Sequence, residues 1–441
     1  MTITTKIEKP SASNAGTAGA HFDVVVVGAG SGGIAITAGL LKRKPQLKIA
    51  LIDPSEVHCY QPGWTMVGGG IFDNDTTKRS MQSVIPAGAN WIKDAVETFV
   101  PQENKLLLSE KGAVYYDQLI VAAGLKLNWA AVEGLPETLG KNGVTSNYQY
   151  DLAPYTWELV RSLKDGKALF TQPPMPIKCA GAPQKALYLS ADHWHKNGSL
   201  DDIQVHFYNA GAVLFGVQDY VPALSSYMEK YHAGLHFGHN LVRIDGNARK
   251  AWFSAKAEDG SEHLVESDFD MIHVCPPQCA PDFIRSSPLA DEAGWVDVDS
   301  ATLRHKRFSN IWGLGDVTNT PNAKTAAAVR KQVPVVAENL CSVLDGDEPV
   351  VAYDGYGSCP LTVERGKIVL AEFGYGGKLL PTFPKWLNDG TKATSLAWAL
   401  KAKFLPEFYW QGMLKGREWL TSPDSLKTPD AESKQKESVS P

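Results

Sequence analysis

The sequence predicts an α/β protein with two parallel-sheet units and an amphipathic C-terminal region. Three observations carry that prediction. A run of four valines, Val24-Val25-Val26-Val27, leads directly into Gly28-Ala29-Gly30-Ser31-Gly32-Gly33. A second alternation of apolar strands and helical stretches starts near Ala168-Leu169-Phe170. Residues 381–420 combine four tryptophans with an excess of Lys and Arg. The chain has 441 residues, 44% of them hydrophobic and 21% charged, as in ordinary globular proteins. That length accommodates two or three domains. A net charge of −5 argues against a nucleic-acid partner, which calls for a basic surface.

The valine run reads as a buried parallel strand. Residues 34–44 read as a helix that Pro45 stops, and residues 48–52 as the next strand, ending at Asp53. This βαβ unit is the context that makes G-x-G-x-x-G informative. Gly28 makes the tight turn, Gly30 lets backbone approach a pyrophosphate, and Gly33 lets the helix pack on the strand. Ser31 and Gly32 open the helix, whose N-terminus offers N–H donors to phosphate. Asp53 is placed to accept a hydrogen bond from a ribose hydroxyl. Residues 21–150 are therefore expected to form a Rossmann-like dinucleotide-binding domain.

Two further motifs specify the dinucleotide. Asn310-Ile311-Trp312-Gly313-Leu314-Gly315-Asp316 resembles the second FAD fingerprint of two-dinucleotide-fold flavoproteins, and Val121-Ala122-Ala123-Gly124 resembles their middle motif. The resemblance implies FAD, with Asp316 on the ribityl chain and residues 291–350 returning to the FAD domain. Residues 151–290 are expected to form a second Rossmann-like domain of the NAD type, but a degenerate one. Its nucleotide loop is sought at Tyr208-Asn209-Ala210-Gly211-Ala212-Val213-Leu214-Phe215-Gly216, where only Gly211 and Gly216 remain and Leu214 and Phe215 are bulky. The fold is kept and the nicotinamide site is lost.

Six cysteines, at 59, 179, 275, 279, 341 and 359, are too few for a disulfide scaffold. Cys179 lies in Ile177-Lys178-Cys179-Ala180-Gly181-Ala182-Pro183-Gln184-Lys185, beside Lys178 and just before an expected helix. That setting lowers a thiol pKa. Cys359 lies in Tyr356-Gly357-Ser358-Cys359-Pro360-Leu361. Sequence alone leaves open whether the two meet or are simply buried. Cys275 and Cys279 lack a matching pair for zinc, and the histidines lack a third ligand, so no metal site is assigned. Residues 1–20 and 421–441 read as disordered, with no signal or transit peptide, and no run of about 18 apolar residues spans a bilayer.

The cysteine segments, together with Lys324-Thr325-Ala326-Ala327-Ala328-Val329 and His58-Cys59-Tyr60-Gln61-Pro62-Gly63-Trp64, resemble sulfide:quinone oxidoreductases. The likeness is to the branch that includes the mitochondrial enzyme and runs over roughly residues 22–415. It implies a redox pair, Cys179 and Cys359, resting as a disulfide or bridged by extra sulfur. Hydrogen sulfide attacks the bridge, Cys359 holds the persulfide, and Cys179 is the thiolate that turns to flavin C4a. Sulfane sulfur passes to sulfite, glutathione or further sulfide. Two electrons pass to ubiquinone or another membrane quinone. The resemblance also implies FAD contacts at Ser31, Gly32, Asp53, Gln61, Val96, Asp316, Lys324 and Thr325, with Gly124 and Gly315 in its glycine turns. Lys324, or the helix after it, would stabilise a reduced flavin. Cys59 stands where an aromatic is usual, and residues 123–128 lack the third cysteine of other branches.

Residues 351–420 are read as a quinone and membrane region. Phe383, Trp386, Leu396, Trp398, Leu400, Phe404, Leu405, Phe408, Tyr409, Trp410, Met413 and Leu414 supply its apolar face, flanked by Lys401, Lys403, Lys415 and Arg417. Phe373 and Tyr375 would line the quinone path. This implies a monotopic protein on a lipid bilayer surface, at the cytoplasmic face of a bacterial inner membrane, and is compatible with a homo-oligomer. Two competing readings are an NAD(P)H:quinone dehydrogenase of the same fold and a flavin redox sensor or sulfur-binding protein without turnover.

Overall fold

The computed structural model describes residues 19–256 and 260–426. The expectations for residues 1–18 and 427–441 lie outside the described residues. The first sheet is built on strand β1 (Ala20–Val27), whose last four valines are almost fully buried, as a strand covered on both faces requires. Gly28, at φ +98°, turns the chain toward helix α1 (Ser31–Arg43). Gly33 permits the close crossing, since a Cβ there would lie 1.7 Å from the Gly28 carbonyl oxygen. The chain then forms β2 (Ile49–Ile52), β3 (Ala89–Ile92), β4 (Val96–Val100), β5 (Lys105–Leu108) and β6 (Gly112–Val121). The sheet runs β3-β2-β1-β6-β5-β4, parallel through β6 and antiparallel beyond it.

The second sheet contains β7 (Val144–Thr145), β8 (Gly166–Gln172), β9 (Ile203–Asn209), β10 (Gly234–Phe237) and β11 (Met271–His273), in the order β7-β11-β8-β9-β10 and all parallel. Helix α2 (Ala182–Asn197) follows β8. The chain then returns to the first sheet through β12 (Ile311–Gly313), which pairs with β6, and helix α3 (Ala326–Leu344). A hairpin of β13 (Gly357–Glu364) and β14 (Lys367–Phe373) packs on α2.

This topology corrects one expectation. The sheet grows in both directions from β8, so the counterpart of residues 28–33 is the β8–α2 connection, residues 173–181, and not residues 208–216. Searching for glycines missed it because the connection is built from prolines. Pro173, Pro174 and Pro176 have no N–H to offer a phosphate. The loop after β9 closes on itself, with the Asn209 side chain accepting from Gly211 N (2.8 Å) and donating to Val213 O (2.9 Å). The second unit thus has no glycine cradle, for a different reason than the sequence suggested.

The C-terminal region departs from expectation as well. Tyr409, Trp410, Met413 and Leu414 do not face outward but are buried in the core of the first unit. Alternation of apolar and basic residues cannot tell a lipid from a neighbouring helix. Residues 421–426 are not loose either: Thr421 is buried, and Asp424–Ser425 pair with Val351–Ala352. Among the described residues no helix is long and apolar enough to cross a membrane.

Candidate active site

The β8–α2 connection carries Cys179 near its end, a non-glycine residue at φ +50°. Its N–H donates to the Lys324 carbonyl (2.8 Å), and its own carbonyl accepts from Ala182 N (2.7 Å). These bonds fix the cysteine between the first turn of α2 and the loop that begins α3. Cys359, on β13, meets it from the opposite side, Sγ to Sγ 3.6 Å. Both are free cysteines, in contact but not joined. Residues 180 apart in sequence are thus brought together by the hairpin packing on α2.

Lys185 lies on α2 and is only 3% exposed, and its Nζ donates to Cys179 Sγ at 3.0 Å. The Cys179 thiol is held well below its ordinary pKa, first by the hydrogen bond from Cys359 and then by Lys185, against the cost of burial. Cys359, the donor of that bond and itself buried, is pushed well above. The two sulfurs are therefore unequal: Cys179 is the thiolate and Cys359 the thiol. Lys178, expected to lower the pKa of Cys179, does interact with its charge, and its ammonium also donates to the Gln61 side chain, tying the cysteine loop to the turn Gln61–Gly63. Gly181 was also missed. A Cβ there would sit 3.0 Å from Cys359 Sγ and 2.4 Å from Leu361. Lys401, expected as a cation flanking the membrane face, is brought here instead. It is buried, donates to Pro62 O (2.8 Å), and is pushed down to about 7 by burial and then by Lys185. Lys185 lay inside the recognised motif; Lys401 has no local signal.

The residues present fit FAD. A Cβ on Gly30 or Gly124 would meet nothing within 4 Å, so open space lies over the backbone where a pyrophosphate would approach. Gly124 and Gly315 both adopt positive φ. The Asp53 carboxylate accepts from Ala29 N (2.7 Å) and Ser55 N (2.8 Å), which orients it at the end of β2 and leaves lone pairs for ribose hydroxyls. Val96 opens β4. Thr325 caps α3 by accepting from Ala328 N (3.1 Å), so what it offers a ligand is backbone at the helix N-terminus. Burial pushes the Asp316 carboxyl up and Lys324 down to about 8. Lys324 Nζ donates to the carbonyls of Asp316 (2.8 Å) and Thr318 (2.7 Å) and lies 4.1 Å from the Trp295 ring centre. Its ammonium therefore braces the Gly315-Asp316 turn. The Ser31 hydroxyl is engaged with Tyr409 at 2.7 Å, leaving Ser31 and Gly32 to contact a ligand through backbone at the start of α1.

Behind the pair, Cys275 is buried beside Tyr148 and Ile177, and burial pushes its thiol up to about 12. Gln278 holds Lys178 N through its side-chain oxygen (2.7 Å).

Comparison with known proteins identifies the family. Residues 22–332 match the model for pyridine nucleotide-disulphide oxidoreductases. The chain is 39% identical over 400 residues to the mitochondrial sulfide:quinone oxidoreductase of Mus musculus, covering 91% of this chain and 88% of the mouse protein. It is 42% identical over 413 residues to that of Dictyostelium discoideum, covering 92% and 89%. The solved sulfide:quinone oxidoreductase of Aquifex aeolicus superposes with a TM-score of 0.75 at 19% identity, over 93% of this chain and 98% of that one. Both curated relatives are named mitochondrial, so the expected bacterial inner membrane finds no support in them. The chain belongs to the pyridine nucleotide-disulphide oxidoreductases and, within them, to the sulfide:quinone oxidoreductases, which are FAD-dependent flavoenzymes.

Proposed function

We propose that Cys179 and Cys359 are the pair through which this sulfide:quinone oxidoreductase takes electrons from sulfide. The carrying observation is the contact of two unequal sulfurs with a buried ammonium on one of them. In the oxidised pair, hydrosulfide attacks Cys359 Sγ. A sulfur–sulfur bond forms there, the Cys179–Cys359 bond breaks, and its electron pair stays on Cys179. That direction follows because the thiol of lower pKa leaves faster, and Lys185 holds the departing thiolate. The two buried ammonium groups, Lys185 and Lys401, favour entry of an anion. A nucleophilic acceptor such as sulfite, glutathione or sulfide then removes the outer sulfur and leaves Cys359 reduced. FAD, when bound, supplies the two-electron acceptor that restores the oxidised pair and passes electrons to quinone.

Stopped-flow absorbance tests this reading. Sulfide bleaches the flavin of the unaltered protein, and decylubiquinone restores it. Cys179→Ser retains FAD and bleaches at least about 10³-fold more slowly, the order of loss when a nucleophile is removed. Equal bleaching in the variant overturns the assignment, and bleaching by NADH instead of sulfide favours a dehydrogenase.

The same reading places the protein on a bilayer surface. Trp386 is 84% exposed and Phe404 62% exposed, with Leu387, Leu405 and Trp419 also open to solvent and Lys385 and Lys403 near them in the chain. Such apolar side chains with flanking cations suit a membrane interface. Phe373 pairs with Gly357, two residues from Cys359, which supports its place on a quinone path. The Tyr375 hydroxyl is committed to Ser300 O (2.7 Å), leaving its ring for that role. Replacing Phe404 and Leu405 by Ser lowers sedimentation with anionic vesicles by about 100-fold, from about 1.5 kcal/mol for each apolar side chain. Unchanged partitioning overturns the membrane surface.

A further inference from the structure

Helix α1 carries the glycine loop at its N-terminus, and the C-terminal segment is fastened along its length. At the far end, Arg43 donates to both carboxylate oxygens of Glu418 (2.7 Å each), and Lys42 donates to Gly416 O (3.0 Å). In the middle, Gly416, at φ +61°, lies so close that a Cβ would be 2.8 Å from Ala38 and Gly39 backbone atoms. At the loop end, the buried Tyr409 hydroxyl meets Ser31 Oγ (2.7 Å) and His58 Nε2 (2.6 Å), and His58 Nδ1 meets the Ala29 carbonyl (3.1 Å).

The direction of this chain of bonds follows from its ends. A carbonyl only accepts, so His58 donates through Nδ1–H to Ala29. Burial pushes His58 down to about 4, so the ring is neutral and Nε2 is an acceptor. Tyr409 therefore donates its O–H to His58 and accepts the Ser31 O–H. Two residues of the glycine loop, Ala29 and Ser31, are held by one relay that ends in the C-terminal segment.

We propose that Tyr409 and His58 are positioning residues for FAD, holding the Ala29–Ser31 backbone in its phosphate-binding conformation so that the C-terminal segment completes the cofactor's seat. The proposal rests on residues 28–33 being the pyrophosphate loop. Loss of the relay frees the loop, and FAD leaves faster while the apoprotein fold is unaffected.

The experiment follows FAD release from the holoenzyme by the rise in flavin fluorescence on dilution, with the melting temperature of each apoprotein measured alongside. Tyr409→Phe keeps the buried ring and removes the hydroxyl. It releases FAD about three- to tenfold faster, the scale of one net hydrogen bond, with an unchanged apoprotein melting temperature. Ser31→Ala does the same, and the double variant is no faster than the faster single one, because both break one relay. Gly30→Leu is the control for the loop, since its side chain enters open space that only the cofactor would fill. If Gly30→Leu loses FAD and Tyr409→Phe releases it at the unaltered rate, the positioning role is overturned while the loop assignment stands. If Gly30→Leu retains FAD, the loop assignment falls and takes the proposal with it. A melting temperature that drops in step with FAD release in Tyr409→Phe also overturns it, because the hydroxyl would then be supporting the fold alone.

Discussion

The loops at residues 28–33 and 173–181 occupy the same place in two similar sheets, between a buried first strand and the helix that follows it. The first is short and glycine-rich, with backbone open to a ligand at Gly30. The second is longer, carries three prolines, and holds Cys179 near its end. One loop is shaped to present N–H groups to a phosphate, the other to hold a sulfur at a helix start. The helix that follows serves both: its N-terminus favours a bound anion in the first, and its first turn brings Lys185 to the thiolate in the second. The difference teaches that the βαβ opening supplies a position and an electrostatic bias, while the loop residues choose the chemistry.

Substitutions in matching places sharpen this contrast. The largest effect is expected from Gly33→Ala, whose Cβ would meet the Gly28 carbonyl oxygen at 1.7 Å. The backbone must move, and the purified protein loses its FAD absorbance. In the second unit, Lys185→Met leaves the Cys179 thiolate buried without its cation. Removing one partner of a buried pair costs about 3 kcal/mol, which raises the Cys179 pKa by about two units. The pH dependence of iodoacetamide alkylation in the reduced protein reads that shift, and an unmoved profile refutes the pairing. Gly181→Ala crowds Cys359 Sγ and the end of the Leu361 side chain. Sulfide-driven bleaching slows about tenfold, the cost of mild overpacking, with FAD content unchanged. Loss of FAD there would break the separation between the two loops. The smallest effect belongs to Lys401→Met. Lys401 titrates at about 7, so it carries charge at pH 6 and has lost it by pH 8.5. The deficit of the variant in kcat/KM for sulfide is therefore about threefold at pH 6 and fades as pH rises. A deficit constant across that range rules out the charge of Lys401 as its cause.

Local rules made the first loop legible. Each glycine there has a distinct backbone duty at fixed spacing, and Asp53 ends the next strand. The second loop lacked any such rule. Its prolines hide the strand-to-helix turn, and Leu214 and Phe215 drew attention to the wrong connection. The meeting of Cys179 with Cys359 was implied by resemblance and not by spacing, because it depends on how the β13–β14 hairpin packs on α2. Lys185 sat in the recognised motif, but its role needed the course of the helix. Lys401 and Tyr409 were read as part of a membrane face, and nothing near them in sequence points to their actual partners. Their neighbours, Pro62 and Ser31, are more than 300 residues away, and an amphipathic pattern shows that an apolar face is covered without showing by what.

The clamp of the C-terminal segment on α1 has a consequence for biosynthesis. Arg43 and Glu418 are 375 residues apart, and Ser31 and Tyr409 are 378 apart. At roughly 5–20 residues per second, translation leaves the first βαβ unit waiting roughly 20–80 s for its last contacts. Contacts of such long range close late and are costly in chain entropy. Lys401 joins Cys179 and Cys359 only in that final stage. A chain truncated before residue 401 therefore carries both cysteines and Lys185 but lacks the second buried cation.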